Sequence, residues 1–122
     1  MGSKAKVNYV NEADLQEDVR TLYETGEFPD RLAKGLMEIT VRILRSRKFN
    51  GYTEDWKEEM KGNALTALMK CLKEKRYDNT RPNTKVFSWA TRVVFNQFTY
   101  TIRKKKSEIE KQKKYIEEAL TQ

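Results

Sequence analysis

Trp89, Arg92, Asn96, Tyr100 and Arg103 recur every three or four residues, so in a helix they share one face. Aromatic rings alternating with guanidinium and amide groups suit unpaired bases: rings stack on them and polar groups meet their edges. Arg103-Lys104-Lys105-Lys106 follows directly and offers charge to phosphates. A charge run alone is as readily a solvated face; its place beside the rings turns it toward nucleic acid. A blander reading of the rings stays open, in which Trp89 and Tyr100 pack under a neighbouring segment and the arginines are merely solvated. Against it, the opposite face carries Phe87, Thr91, Val94, Phe95, Phe98 and Ile102, an ordinary core stripe. Burying both sides would strand Arg92, Asn96 and Arg103 without water.

A second set, Glu59, Gly62, Asn63, Thr66 and Lys70, shares the outer face of an earlier helix. A glycine within a helix costs roughly 1 kcal/mol relative to alanine. Gly62 reads either as a point of close approach for a partner helix or as a tolerated surface residue.

Other chemistries lack their residues. The chain has no histidine, and Cys71 is its one cysteine, which excludes a catalytic triad, a cysteine pair for zinc and an internal disulfide. No glycine-rich phosphate loop is present. Glu58-Glu59 and Glu117-Glu118 are sequence neighbours that diverge on a helix. The expectation is a non-catalytic protein without metal or cofactor. The 122 residues carry a formal charge of +7 with 35% charged residues, a balance that favours nucleic acid or an anionic membrane as partner. No apolar run is long enough to span a bilayer and no signal-peptide core is seen. Met1-Gly2-Ser3 with Lys6 does not fit a myristoylation signal. An intracellular protein of one domain, or one domain with tails, is the simplest expectation.

The elements that must position these residues read as helices. Residues 1–10 form a short flexible segment unless Tyr9 and Val10 dock. Asn11 caps a helix over 12–25 with Leu15, Val19 and Leu22 inward, and Gly26 ends it. Pro29 sits where a first-turn proline belongs, and a second helix runs from Asp30 to about Arg47, burying Leu32, Leu36, Ile39 and Ile43. Phe49-Asn50-Gly51-Tyr52 is a turn. Thr53 opens a third helix to about Lys75, with Trp56, Met60, Ala64, Ala67, Leu68 and Cys71 inward. Asp78 to Asn83 is a loop of turn formers. A fourth helix starts near Lys85 and continues past the basic run. Strand signals are nearly absent. The predicted fold is all-α: a helical domain of about four helices over 11–108, with a charged helical extension over 109–122.

Two segments resemble region 2 of bacterial sigma factors: Ala67-Leu68-Met69-Lys70, with Glu59 before and Tyr77-Asp78 after, and Phe87-Ser88-Trp89-Ala90-Thr91 followed by Asn96-Gln97. The chain looks most like the late sigma factors of T-even bacteriophages. That likeness rests on Asn8-Tyr9-Val10-Asn11, on Gly51-Tyr52-Thr53 with Trp56-Lys57 and Glu59-Met60, and on Phe95-Asn96, Phe98 and Ile102-Arg103-Lys104. These occur in order over about residues 7–108.

The resemblance implies a sigma-like initiation factor that binds the clamp helices of the largest subunit of bacterial core RNA polymerase. It would melt an AT-rich minus-ten-type promoter element of late genes and hold the non-template strand, in the cytoplasm of an infected host, with a phage co-activator as an optional further partner. Carried onto this sequence, Glu59 and Asn63 take the polymerase-docking positions, with Gly62, Leu65, Thr66 and Met69 around them. Trp89 takes the place of an aromatic that stacks near a flipped base. Arg92, Asn96, Gln97 and Tyr100 line the path of the single strand, and Arg103, Lys104, Lys105 and Lys106 meet phosphates. Primary sigma factors have a tryptophan pair where this chain has Arg92 and Val93, so a wedge built from such a pair is not implied. No helix-turn-helix reader and no acidic–apolar tail for a replication sliding clamp is recognisable; residues 109–122 offer only Ile109, Tyr115-Ile116 and Leu120. A stand-alone helical DNA- or RNA-binding protein, and a protein-binding adaptor or inhibitor occupying the sigma site, are the rival expectations.

Overall fold

The structure, a computed structural model, describes residues 10–121. It contains four helices, α1 (Glu12–Thr25), α2 (Asp30–Leu44), α3 (Glu54–Lys73) and α4 (Val86–Leu120), and no strand among the described residues. The fold is all-α, as the spacing predicts. Except for Val10, the N-terminal segment expected to be flexible lies outside the described residues, as does Gln122. No helix of the described residues is long and apolar enough to cross a membrane.

Local chemistry sets the helix ends. The Asp14 N–H donates to Asn11 Oδ1 at 3.1 Å, and Gly26 closes α1 at φ 82°, a conformation that costs glycine little. Pro29 stands one place before the first helical residue, as the N-cap of α2, not within the first turn. Thr53 caps α3 by accepting from the Trp56 N–H at 3.4 Å. Two ends come earlier than predicted. Helix α2 stops at Leu44 because the Ser46 hydroxyl donates to the Ile43 carbonyl at 2.6 Å and the chain then turns Phe49 inward. Helix α3 stops at Lys73, and Lys75 takes the left-handed conformation at φ 57°. Arg76 then donates its N–H to the Cys71 carbonyl at 2.9 Å, which satisfies a terminal acceptor.

The core gathers Val19, Leu32, Leu36 and Ile39 from α1 and α2, and Met60, Ala64, Leu68 and Leu72 from α3. Helix α4 adds the row Val86, Ala90, Val94 and Phe98, then Thr101 and Ile102. This corrects the predicted stripe: Phe87, Thr91 and Phe95 are half-buried flanks. Helix α4 meets each of the other three helices, so its buried arc is wider than one stripe and takes in small Ala90. Phe49, from the predicted turn, is 1% exposed and meets Phe98 and Phe95 edge-on, with centroids 5.0 and 5.3 Å away.

Two polar devices hold α1 in place. Arg31 makes a two-pronged contact with the buried Asp18, Nε to Oδ2 at 2.9 Å and Nη2 to Oδ1 at 2.8 Å. Those hydrogen bonds hold the guanidinium pKa above its ordinary value. At the other end, Lys85 provides no side-chain cap to α4. Glu12 replaces it: the Val86 and Phe87 N–H groups donate to its carboxylate at 2.7 and 3.0 Å. A carboxylate at a helix N-terminus satisfies orphan donors and faces the positive end of the helix dipole.

Candidate nucleic-acid interface

The start of α4 and the loop before it form the floor and rim of a cleft of about 540 Å³, lined by Arg76, Arg81, Lys85, Trp89 and Arg92 among others. Tyr77 fixes this region. It is 3% exposed; its hydroxyl accepts from Gln16 Nε2 at 3.0 Å and lies 3.1 Å from the Thr84 hydroxyl. Its carbonyl accepts from the Tyr23 hydroxyl at 2.8 Å. The ring of Trp89 tilts against Tyr77 with centroids 5.4 Å apart. Trp89 is therefore half-buried and packed against the core. The predicted separation of the rings from the core is corrected for Trp89, one side of which is structural. Its remaining surface lines the cleft.

Beyond the cleft, the rest of the predicted face points outward. Arg92, Asn96 and Arg103 are exposed and Tyr100 is 58% exposed; Gln97 is half-buried. Cleft and face form one path, beginning at a braced indole and ending in cations. Among the described residues, four cations line the cleft and Asp78 is the one acidic side chain on its rim. The Thr80 hydroxyl and N–H donate to that carboxylate at 2.5 and 2.9 Å. Those bonds, with Arg81 adding to them, hold its pKa below the usual carboxylate value. Asp78 thus stays ionised while serving the turn. A cationic cleft around an aromatic edge can hold a base against the ring and phosphates against the rim.

The basic run divides. Arg103, Lys104 and Lys106 are exposed. Lys105 instead places its Nζ 2.7 Å from Glu59 Oε1 and 5.3 Å from the centroid of Trp56, which stacks on Tyr52 at 5.6 Å. Asn63 donates to Thr101 Oγ1 at 3.0 Å. Two residues predicted to dock polymerase thus reach across to α4, and the two candidate surfaces are mechanically joined. Of the others, Leu65 is half-buried against the core, while Thr66 and Met69 are exposed. Gly62 is exposed, with no atom within 4 Å of where a Cβ would sit.

Reading the sequence missed Arg76, Arg81 and Lys85, the cations of the rim. Their signal was available: Arg76 and Lys85 flank a run of turn formers and Arg81 lies within it, and a turn brings its flanks together. Neither a protein-family model nor a curated protein sequence matches this chain.

Proposed function

We propose that the chain is a sigma-like transcription initiation factor, non-catalytic itself, which directs bacterial core RNA polymerase to an AT-rich minus-ten-type element of late genes. The observation that carries this reading is the half-exposed indole of Trp89 in a cleft rimmed by Arg76, Arg81, Lys85 and Arg92. Extruding a base costs a few kcal/mol of stacking and pairing. An aromatic platform returns about 1–3 kcal/mol per base, so one ring offsets part of the cost and an easily melted AT-rich site reduces the remainder. Asn96 and Tyr100 carry the displaced non-template strand along α4, and Arg103, Lys104 and Lys106 hold its phosphates. The clamp helices of the polymerase dock on α3 at Gly62, Thr66 and Met69, beside Glu59 and Asn63. Nucleotide addition belongs to the polymerase, in the cytoplasm of an infected bacterium.

The test is retention on immobilised core polymerase, followed by transcription from AT-rich promoters and permanganate footprinting of unpaired thymines. Trp89→Ala is expected to keep polymerase binding and lose the reactive thymines. Binding accompanied only by repression would make the chain an inhibitor at the sigma site. Tight DNA retention without polymerase binding would make it a stand-alone binder.

A further inference from the structure

Helix α1 takes no part in the proposed function, yet one of its side chains reaches the rim of the cleft. Gln16 is half-buried. Its Nε2 lies 2.7 Å from Glu12 Oε2, 3.0 Å from the Tyr77 hydroxyl and 3.2 Å from the Thr84 carbonyl. The Tyr77 hydroxyl, accepting there, donates in turn to Thr84 Oγ1 at 3.1 Å. The Thr84 hydroxyl donates to the Arg81 carbonyl at 2.9 Å. Each hydroxyl proton thus has one acceptor, and the bonds run in one direction from α1 to the backbone of a rim cation.

The rim depends on such side-chain bonds. Among the described residues, backbone-to-backbone hydrogen bonds outside the helices skip residues 77–84. Between Arg81 and Thr84 the chain turns through Asn83, which takes the left-handed conformation at φ 68°. That conformation carries a cost for any residue with a Cβ, smaller for asparagine than for most. The Thr84 hydroxyl spans this turn, while Gln16 and Tyr77 hold Thr84. Removing one member of a part-buried hydrogen-bond network leaves its neighbours unpaired, so a loss at Gln16 is felt at Arg81.

We infer that Gln16, acting through Tyr77 and Thr84, is a positioning residue that holds Arg81 where it meets a nucleic-acid phosphate. This role rests on the proposed reading of the cleft as a site for a single strand.

Binding of the full chain to a labelled single-stranded oligothymidylate, followed by fluorescence anisotropy at several salt concentrations, tests it. Arg81→Gln removes one cation and should weaken binding roughly fivefold at low salt, with a salt slope shallower by about 0.7. Gln16→Leu, Tyr77→Phe and Thr84→Val leave every charge in place. Each should reproduce much of that loss, in affinity and in slope. Thr84→Ser, which keeps the hydroxyl, should bind as the unaltered protein does. Added to Arg81→Gln, Tyr77→Phe should weaken binding little further, because the cation it positions is already gone. Arg31→Lys is the comparison for stability alone. It breaks the two-pronged contact with Asp18, keeps the charge and touches none of these bonds, so it should lower the melting temperature and leave binding unchanged. Circular dichroism below the thermal transition checks that every variant is folded. If Arg81→Gln binds as the unaltered protein does, the cleft is not a phosphate site and the role of Gln16 falls with it. If Arg81→Gln weakens binding while the three charge-neutral variants do not, or if Arg31→Lys weakens it as much as they do, the cleft keeps its role and positioning by Gln16 is overturned.

Discussion

Between Val86 and Ile102, α4 buries a side chain at every turn; between Lys106 and Leu120 it buries none. The two halves share one continuous backbone helix but not one reason for being helical. The inner half is rich in valine, phenylalanine and threonine, which are middling helix formers. It is held by the helices packed around it. The outer half is mostly glutamate, lysine, glutamine and alanine, good formers that sustain a helix already nucleated by the half before it. Packing thus stabilises one half, while propensity and continuity stabilise the other.

Thermal and chemical unfolding can break this comparison. The largest effect is expected from Phe98→Ala, which empties the centre of the inner half and should cost about 3–5 kcal/mol. Glu12→Ala leaves the first two N–H groups of α4 without their acceptor. It should cost about 1–3 kcal/mol, with faster amide exchange at Val86 and Phe87 than elsewhere in the inner half. An alkaline titration adds a smaller effect. Burial raises the Tyr23 phenol above its ordinary value of 10.0, and the folded state holds it as a donor to Tyr77. That stability is fully present below the unfolded pKa and is lost as pH rises through the folded one. Tyr23→Phe should therefore flatten the decline in stability above about pH 10. Ile116→Ala, in the outer half, should change stability at low protein concentration by less than about 0.5 kcal/mol. A large loss there would mean the two halves are not held differently.

The sequence made visible whatever repeats or caps. Asn11, Gly26 and Thr53 mark their helix ends by local chemistry, and the leucines of α1 and α2 repeat along one face. Phe49 was not visible as core: a lone aromatic in a polar turn has no period to betray its direction. Tyr77 was hidden for the same reason, although it braces Trp89 and anchors the cleft. The contacts of Lys105 with Glu59 and of Asn63 with Thr101 join residues 46 and 38 positions apart, and no local pattern reports such pairs. In the candidate interface, the face of α4 was legible because it is helical. The rim was not, because it is assembled from both sides of a loop.

Glu12 belongs to the first turn of the first helix, yet its carboxylate closes the last one, across 74 and 75 positions of sequence. A nascent chain must therefore release most of its length from the ribosome before this junction can form, whereas the turns within each helix can form at once. The start of α1 and the start of α4 are thus completed together. Until Val86 and Phe87 have emerged, the Glu12 carboxylate has no helix end to close.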